Sequence, residues 1–172
     1  GIAVDGVGNV YVAGTNSHNA FKITPGATVT AIIDSTGDGA GNTLALPTDI
    51  AVDGAGNVYV AGFISDNAFK ITPGGTITAI IDSSGDAAGN TLDGPEGIAV
   101  DGAGNVYVTG TNGANAFEIT PGGTITTIVD ASGDAAGITL NEPFFIAADR
   151  TGTVYVTGDG SNNAFKITPG GM

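Results

Sequence analysis

Carboxylates recur along this chain at fixed spacings that suit oxygen chemistry. Three Gly-bent segments pair Asp34 with Asp38, Asp82 with Asp86, and Asp130 with Asp134. The first two add an amide, Asn42 and Asn90, where the third carries Ile138. Calcium takes about six to eight such oxygens, and backbone carbonyls can complete a shell. The spacing is not that of an EF-hand, and no Glu stands at a bidentate end. The competing reading is a run of Asp/Gly turns with solvated charges. With no Cys and a single His, any ion held here is a hard cation, so calcium is the one cofactor suggested.

A second set of acids, Asp49, Glu96 and Glu142, could converge as acid, base or metal ligands. Ser and Asp are plentiful, yet no G-x-S-x-G elbow appears, and His18 has no second His to join it. No nucleophile–base pair emerges, so no catalytic residue is assigned. A calcium-assisted hydrolase or lyase centre is the alternative reading. The residues that vary against an otherwise regular background are His18, Asp49, Phe63, Asp66, Glu96, Phe144, Phe145 and Asp159. They are the candidate binding surface.

That background is an internal repeat, and it sets the fold. Ile2, Ile50, Ile98 and Ile146 open equivalent segments 48 residues apart. The openings read IAVDGVGNVYVAG, IAVDGAGNVYVAG, IAVDGAGNVYVTG and IAADRTGTVYVTG, each followed by NAFKITPG or NAFEITPG. Within a unit, a strand opening at Ile50 meets the turn Gly54-Ala55-Gly56-Asn57 and a second strand, Val58-Tyr59-Val60. In the third strand, Phe69 and Ile71 face one way and Lys70 and Thr72 the other. Pro73-Gly74 suits the centre of a type II turn, and Thr76 to Ile81 reads as a fourth strand. Four short antiparallel strands per unit predict an all-β propeller of four-stranded blades. The whole chain is one array with units 2–49, 50–97, 98–145 and 146–172, the last incomplete.

The motif I-A-V-D-x-x-G-N-V-Y-V-A, then K-I-T-P-G-G, resembles the NHL repeat and, less closely, other bacterial propeller repeats. The NHL pattern often has Asp after Y-V-A and Arg before the third strand. Here Gly14, Gly62, Gly110 and Gly158, with Asn19, Asn67, Asn115 and Asn163, stand in those places. The resemblance implies a propeller. The RNA binding of some members depends on basic surfaces and is not carried over. Propeller lactonases and lyases place acids in a channel, but their set has no residue-by-residue match here.

Positions identical in every unit are expected to serve the blade. Asp5, Asp53, Asp101 and Asp149 should accept turn N–H groups. The Tyr11 and Phe21 series should pack between blades.

Seventeen acidic residues against four basic ones give a net charge of −13. Such a field repels phosphate backbones and favours cations or basic protein surfaces. No apolar run approaches a membrane span, so neither nucleic-acid binding nor membrane insertion is expected. The chain starts inside a repeat without an initiator Met, which reads as a mature product or a fragment. The reading overall is a non-catalytic module, extracellular or on a bacterial cell surface, used for binding or as a building block. The last unit lacks a fourth strand, leaving Asn163, Ala164, Phe165, Lys166, Ile167 and Thr168 as an open edge. A protein partner is expected to complete it, by self-association into a larger ring or a filament.

Overall fold

The computed structural model describes residues 1–169 and 171. Four antiparallel sheets follow one another along the chain, one per repeat. The first holds β1 (Ile2–Val4), β2 (Val10–Gly14), β3 (Asn19–Ile23) and β4 (Val29–Ile33). The second holds β5 (Pro47–Val52), β6 (Val58–Gly62), β7 (Asn67–Ile71) and β8 (Ile77–Ile81). The third holds β9 (Pro95–Val100), β10 (Val106–Gly110), β11 (Asn115–Ile119) and β12 (Ile125–Val129). The fourth has three strands, β13 (Pro143–Ala148), β14 (Val154–Gly158) and β15 (Asn163–Ile167). The only helical turn among the described residues is a short 3₁₀ segment, Thr15–Ser17.

Each sheet is a meander in chain order, as short antiparallel hairpins dictate. First strands lie side by side from β1 through β5 and β9 to β13, so the blades fan out from a shared inner edge. This is the blade architecture of a propeller.

Alternation along each strand builds the core. In the second blade, Val58, Val60, Phe69 and Ile71 face the first blade, where Tyr11, Ala20, Ile33 and Leu44 meet them. Tyr59, Ala68, Ile81 and Leu92 face the third blade, against Ile98, Val106, Phe117 and Ile119. The next joint repeats the set, with Tyr107, Ala116, Val129 and Leu140 against Val154, Val156, Phe165 and Ile167. Interior blades are therefore covered on both faces. In β14 the burial alternates, because none of the described residues packs over its Tyr155 side.

Two local expectations are revised. The first strands of blades two to four begin three residues earlier than the Ile that marks each repeat, at Pro47, Pro95 and Pro143, which are buried. The Pro-Gly turn is not type II. The left-handed residue falls one place later, at Gly75, Gly123 and, in the first unit, Ala27. Thr72 accepts from Gly75 N–H and donates to Thr76 C=O, which is a type I turn closed by a left-handed residue. At the other end of the chain, β15 pairs only with β14, and Thr168 bridges to Gly171. The outer edge at 163–167 is open among the described residues.

Candidate functional site

The repeated Asp is the hub of each hairpin. Asp101 Oδ1 accepts from the N–H groups of Ala103 (2.8 Å) and Asn105 (2.9 Å). Its Oδ2 accepts from the Asn105 amide (2.8 Å) and the Tyr107 hydroxyl (3.0 Å). Asp5 and Asp53 make the same four bonds, as the repeat predicts. In the fourth blade Thr153 replaces the Asn, and Asp149 is held by Thr151 and Thr153 instead.

These bonds favour the ionised carboxylate. The Asn9 amide, with the Asn9 and Val7 N–H groups and the Tyr11 hydroxyl, holds Asp5 at about 2 against desolvation. The Thr151 hydroxyl and the N–H groups of Thr153 and Thr151 bring Asp149 to about 2 as well. For Asp53 and Asp101, burial pushes upward, but the hydrogen bonds outweigh it and both remain lowered. A carboxylate depressed in the folded state contributes stability above its unfolded value and loses it as pH falls through the folded one. Urea midpoints are therefore expected to hold from neutrality to about pH 5 and to fall steadily toward pH 2. An unchanged midpoint near pH 3 would contradict this.

The acidic loops are two such turns in series. Asp34 Oδ1 accepts from the N–H and hydroxyl of Thr36. Asp38 accepts from Ala40 and Asn42 N–H and from the Asn42 amide, the same arrangement as Asp5 with Asn9. Asp82 with Ser84, Asp86 with Asn90, Asp130 with Ser132, and Asp134 with Ala136 and Ile138 repeat it. Asp86 reaches further. Its Oδ2 also accepts from the Thr127 hydroxyl (2.7 Å) on β12, latching the loop onto the next blade. The Asn90 amide and this hydroxyl hold Asp86 far below the usual carboxylate range. The described residues contain no group of three or more His, Asp or Glu side chains able to hold a metal ion.

On the rim, His18 and Asp66 share one task despite their different chemistry. Both have left-handed backbones, φ 53° and 48°. His18 Nδ1 accepts from Leu46 N–H (2.9 Å), and Asp66 Oδ1 accepts from Gly94 N–H (2.9 Å). Each clamps the segment entering the next blade. Phe63 and Asp159 donate their backbone N–H to the carbonyls of Leu46 and Glu142. Glu142 thus lies at the rim turn, in the place of Leu46 and Gly94.

The Asn that departs from the NHL pattern ties the long loops down. Asn67, Asn115 and Asn163 donate to the carbonyls of Thr43, Thr91 and Thr139. Asn19, Asn67 and Asn163 also accept a hydroxyl, from Ser17, Ser65 and Ser161. Gly113 stands in the Ser position of the third repeat, which leaves buried Asn115 Oδ1 without a donor. Gly113→Ser is expected to supply it and raise the unfolding free energy by about 1 kcal/mol, read by urea denaturation. Destabilisation would show that the pocket cannot yield to the added Cβ, which comes within 3.1 Å of the Asn115 amide atoms and 3.2 Å of Thr91 O.

At the inner edge the structure brings together two of the three acids. Asp49 Oδ2 accepts from Ile98 N–H (3.1 Å), and Glu96 is pushed upward by burial and by the Asp49 charge. Phe145 occupies the place of Asp49 and Gly97, and packs edge-to-face on Phe144 with ring centroids 4.8 Å apart. Both rings are exposed. With Thr157, Gly158, Asp159, Asn162 and Asn163 they line a hollow of about 430 Å³.

Comparison with known proteins agrees with this geometry. Residues 85–117 match the SBBP family model, described as a beta-propeller repeat. No curated protein matches the chain. A streptogramin B lyase structure superposes with TM-score 0.78 at 18% identity, covering 100% of this chain and 52% of that one. A virginiamycin B lyase from Staphylococcus aureus gives 0.77 at 15%, covering 99% and 52%. A putative gluconolactonase gives 0.70 at 17%, covering 99% and 60%. The chain spans about half the length of the lyases, and at these identities the likeness is one of fold. With its four repeats and sequential blades, the chain is a β-propeller repeat protein.

Proposed function

We propose that this chain is a non-catalytic propeller module that acts through its surfaces, as a binding or assembly unit. The observation that carries the reading is the engagement of its polar side chains. The repeated Asp, Asn and Thr groups, and the acids of the long loops, are bonded into turns and blade joints. Its exposed large apolar side chains include Ile2, Val4 and Val29 on the first blade and Phe144, Phe145 and Tyr155 on the fourth, with Val7, Ile64 and Ile138 besides. Its charge of −13 suits basic or neutral protein surfaces and opposes phosphate backbones.

The competing enzyme reading rests on Asp49 beside Glu96 and on the fold shared with lyases and a putative lactonase. Incubating the chain with a streptogramin or a sugar lactone, and following ring opening, separates the two. The module reading expects the uncatalysed rate, unaltered by Glu96→Gln. Turnover that the Glu96→Gln variant loses would overturn it.

A further inference from the structure

We infer that the hollows at the blade joints bind a small monocarboxylate with an apolar body, and that the joint between the second and third blades binds it best. The inference rests on the module reading and names a ligand class for it. Each joint sets the trailing face of one blade, typified by Tyr59, against the leading face of the next, typified by Val106, Phe117 and Ile119. Beside the hairpin turns the same hollow recurs at all three joints, with volumes of about 510, 320 and 390 Å³ in chain order. In the middle one, Lys70 and Ile80 line one wall, and Val106, Ile119 and Pro121 the other.

The placement of positive charge points to the ligand. The chain has four basic residues at a net charge of −13, and three of them line these hollows, one at each joint. Lys22 and Lys70 stand over the rings of Tyr11 and Tyr59, 5.8 and 5.9 Å from the centroids. Neither makes an ion pair among the described residues. The third repeat has Glu118 in place of the Lys, yet the next blade carries Arg150 where Gly6, Gly54 and Gly102 stand. A cation therefore lines that joint too, from the opposite wall.

An unpaired cation beside apolar walls selects an anion, and burial of an apolar body adds to the contact. The field of −13 opposes multiply charged phosphates and leaves the singly charged carboxylate. Neighbouring acids rank the three hollows. Lys70 is the one charged side chain lining the middle hollow among the described residues. Asp5 lines the first, and Asp101 and Glu118 line the third.

Titrating the isotope-labelled chain with octanoate, read by amide chemical shifts, tests this. Saturable shifts are expected first at Thr78, Gly104 and Gly123, then at Thr30, Gly56 and Gly75, and last at the third joint. Lys70→Met keeps the apolar stem and should weaken binding at the middle joint about tenfold, whereas Lys70→Arg retains it. Glu118→Lys returns the residue of the first two repeats and should raise affinity at the third joint about tenfold. Octanol, of equal length but uncharged, should bind about tenfold more weakly than octanoate. Absence of saturable shifts at the joints overturns the inference. Equal affinities for octanoate and octanol, or unchanged binding by Lys70→Met, overturn it as well. Failure here leaves the turnover test of the module reading untouched, because Glu96 lines none of these hollows.

Discussion

Replacing Phe117 with Ala is expected to lower the unfolding free energy by about 3–5 kcal/mol, while the same change at Phe21 costs about 1–2. The residues are equivalent in the repeat, and both sit on a leading face. Phe117 is 0% exposed, enclosed by the second blade's Tyr59, Ile81 and Leu92. Removing its ring deletes the transfer energy of the side chain and leaves a cavity that two packed sheets cannot collapse. Phe21 is only half-buried, because no blade among the described residues packs on the leading face of the first one. Phe69, also 0% exposed, should behave like Phe117. Urea denaturation of dilute protein measures all three. Equal losses at Phe21 and Phe117 would mean that the first blade is covered after all.

Replacing Asp101 with Ala is expected to cost about 2–4 kcal/mol, because it orphans several donors at once. Two turn N–H groups and the Asn105 amide lose their acceptor, and the buried Tyr107 hydroxyl is left with Glu118 Oε1 at 3.3 Å. Asp101 is 8% exposed, so water cannot readily replace it. Asp130→Ala is the control. Its carboxylate serves one exposed turn, through Ser132, and its loss should stay within about 0.5 kcal/mol. A comparable loss at both positions would remove the distinction between hairpin hub and loop turn. Thermal or urea melts of the two variants decide it.

The propeller and its hairpin hubs were legible because their signals are local and repeated. Four copies of D-x-x-G open each hairpin, and alternation marks the strands that flank it. The loop acids were legible as turns or as ligands. The structure shows them bonded as turns, and Asp86 in addition latches onto Thr127 of the next blade. That latch joins residues 41 apart in sequence, a separation at which spacing carries no signal.

Leu44, Leu92 and Leu140 were missed for a related reason. Each lies in a long loop with no strand or helix period to announce that it plugs a blade joint. The Pro-Gly turn was misread because Pro followed by Gly suits type II, and only the hydrogen bonds place the left-handed residue one step on. The orphaned Asn115 did leave a trace. Ser17, Ser65 and Ser161 against Gly113 is a visible break in the repeat, though its meaning needs the Asn side chain to be seen beside it. The rim clamp was hidden because His18 and Asp66 have nothing in common but an acceptor atom and a left-handed backbone.

Tyrosine labelling tests most directly whether the blades stack with one trailing face left open. Tyr11, Tyr59, Tyr107 and Tyr155 are equivalent by repeat but not by environment, at 3%, 2%, 3% and 46% exposure. Brief nitration of the folded chain at low concentration, read by mass spectrometry, is expected to modify Tyr155 and spare the other three. Modification of Tyr11, Tyr59 and Tyr107 at rates like that of Tyr155, in protein that is still folded, would contradict the account.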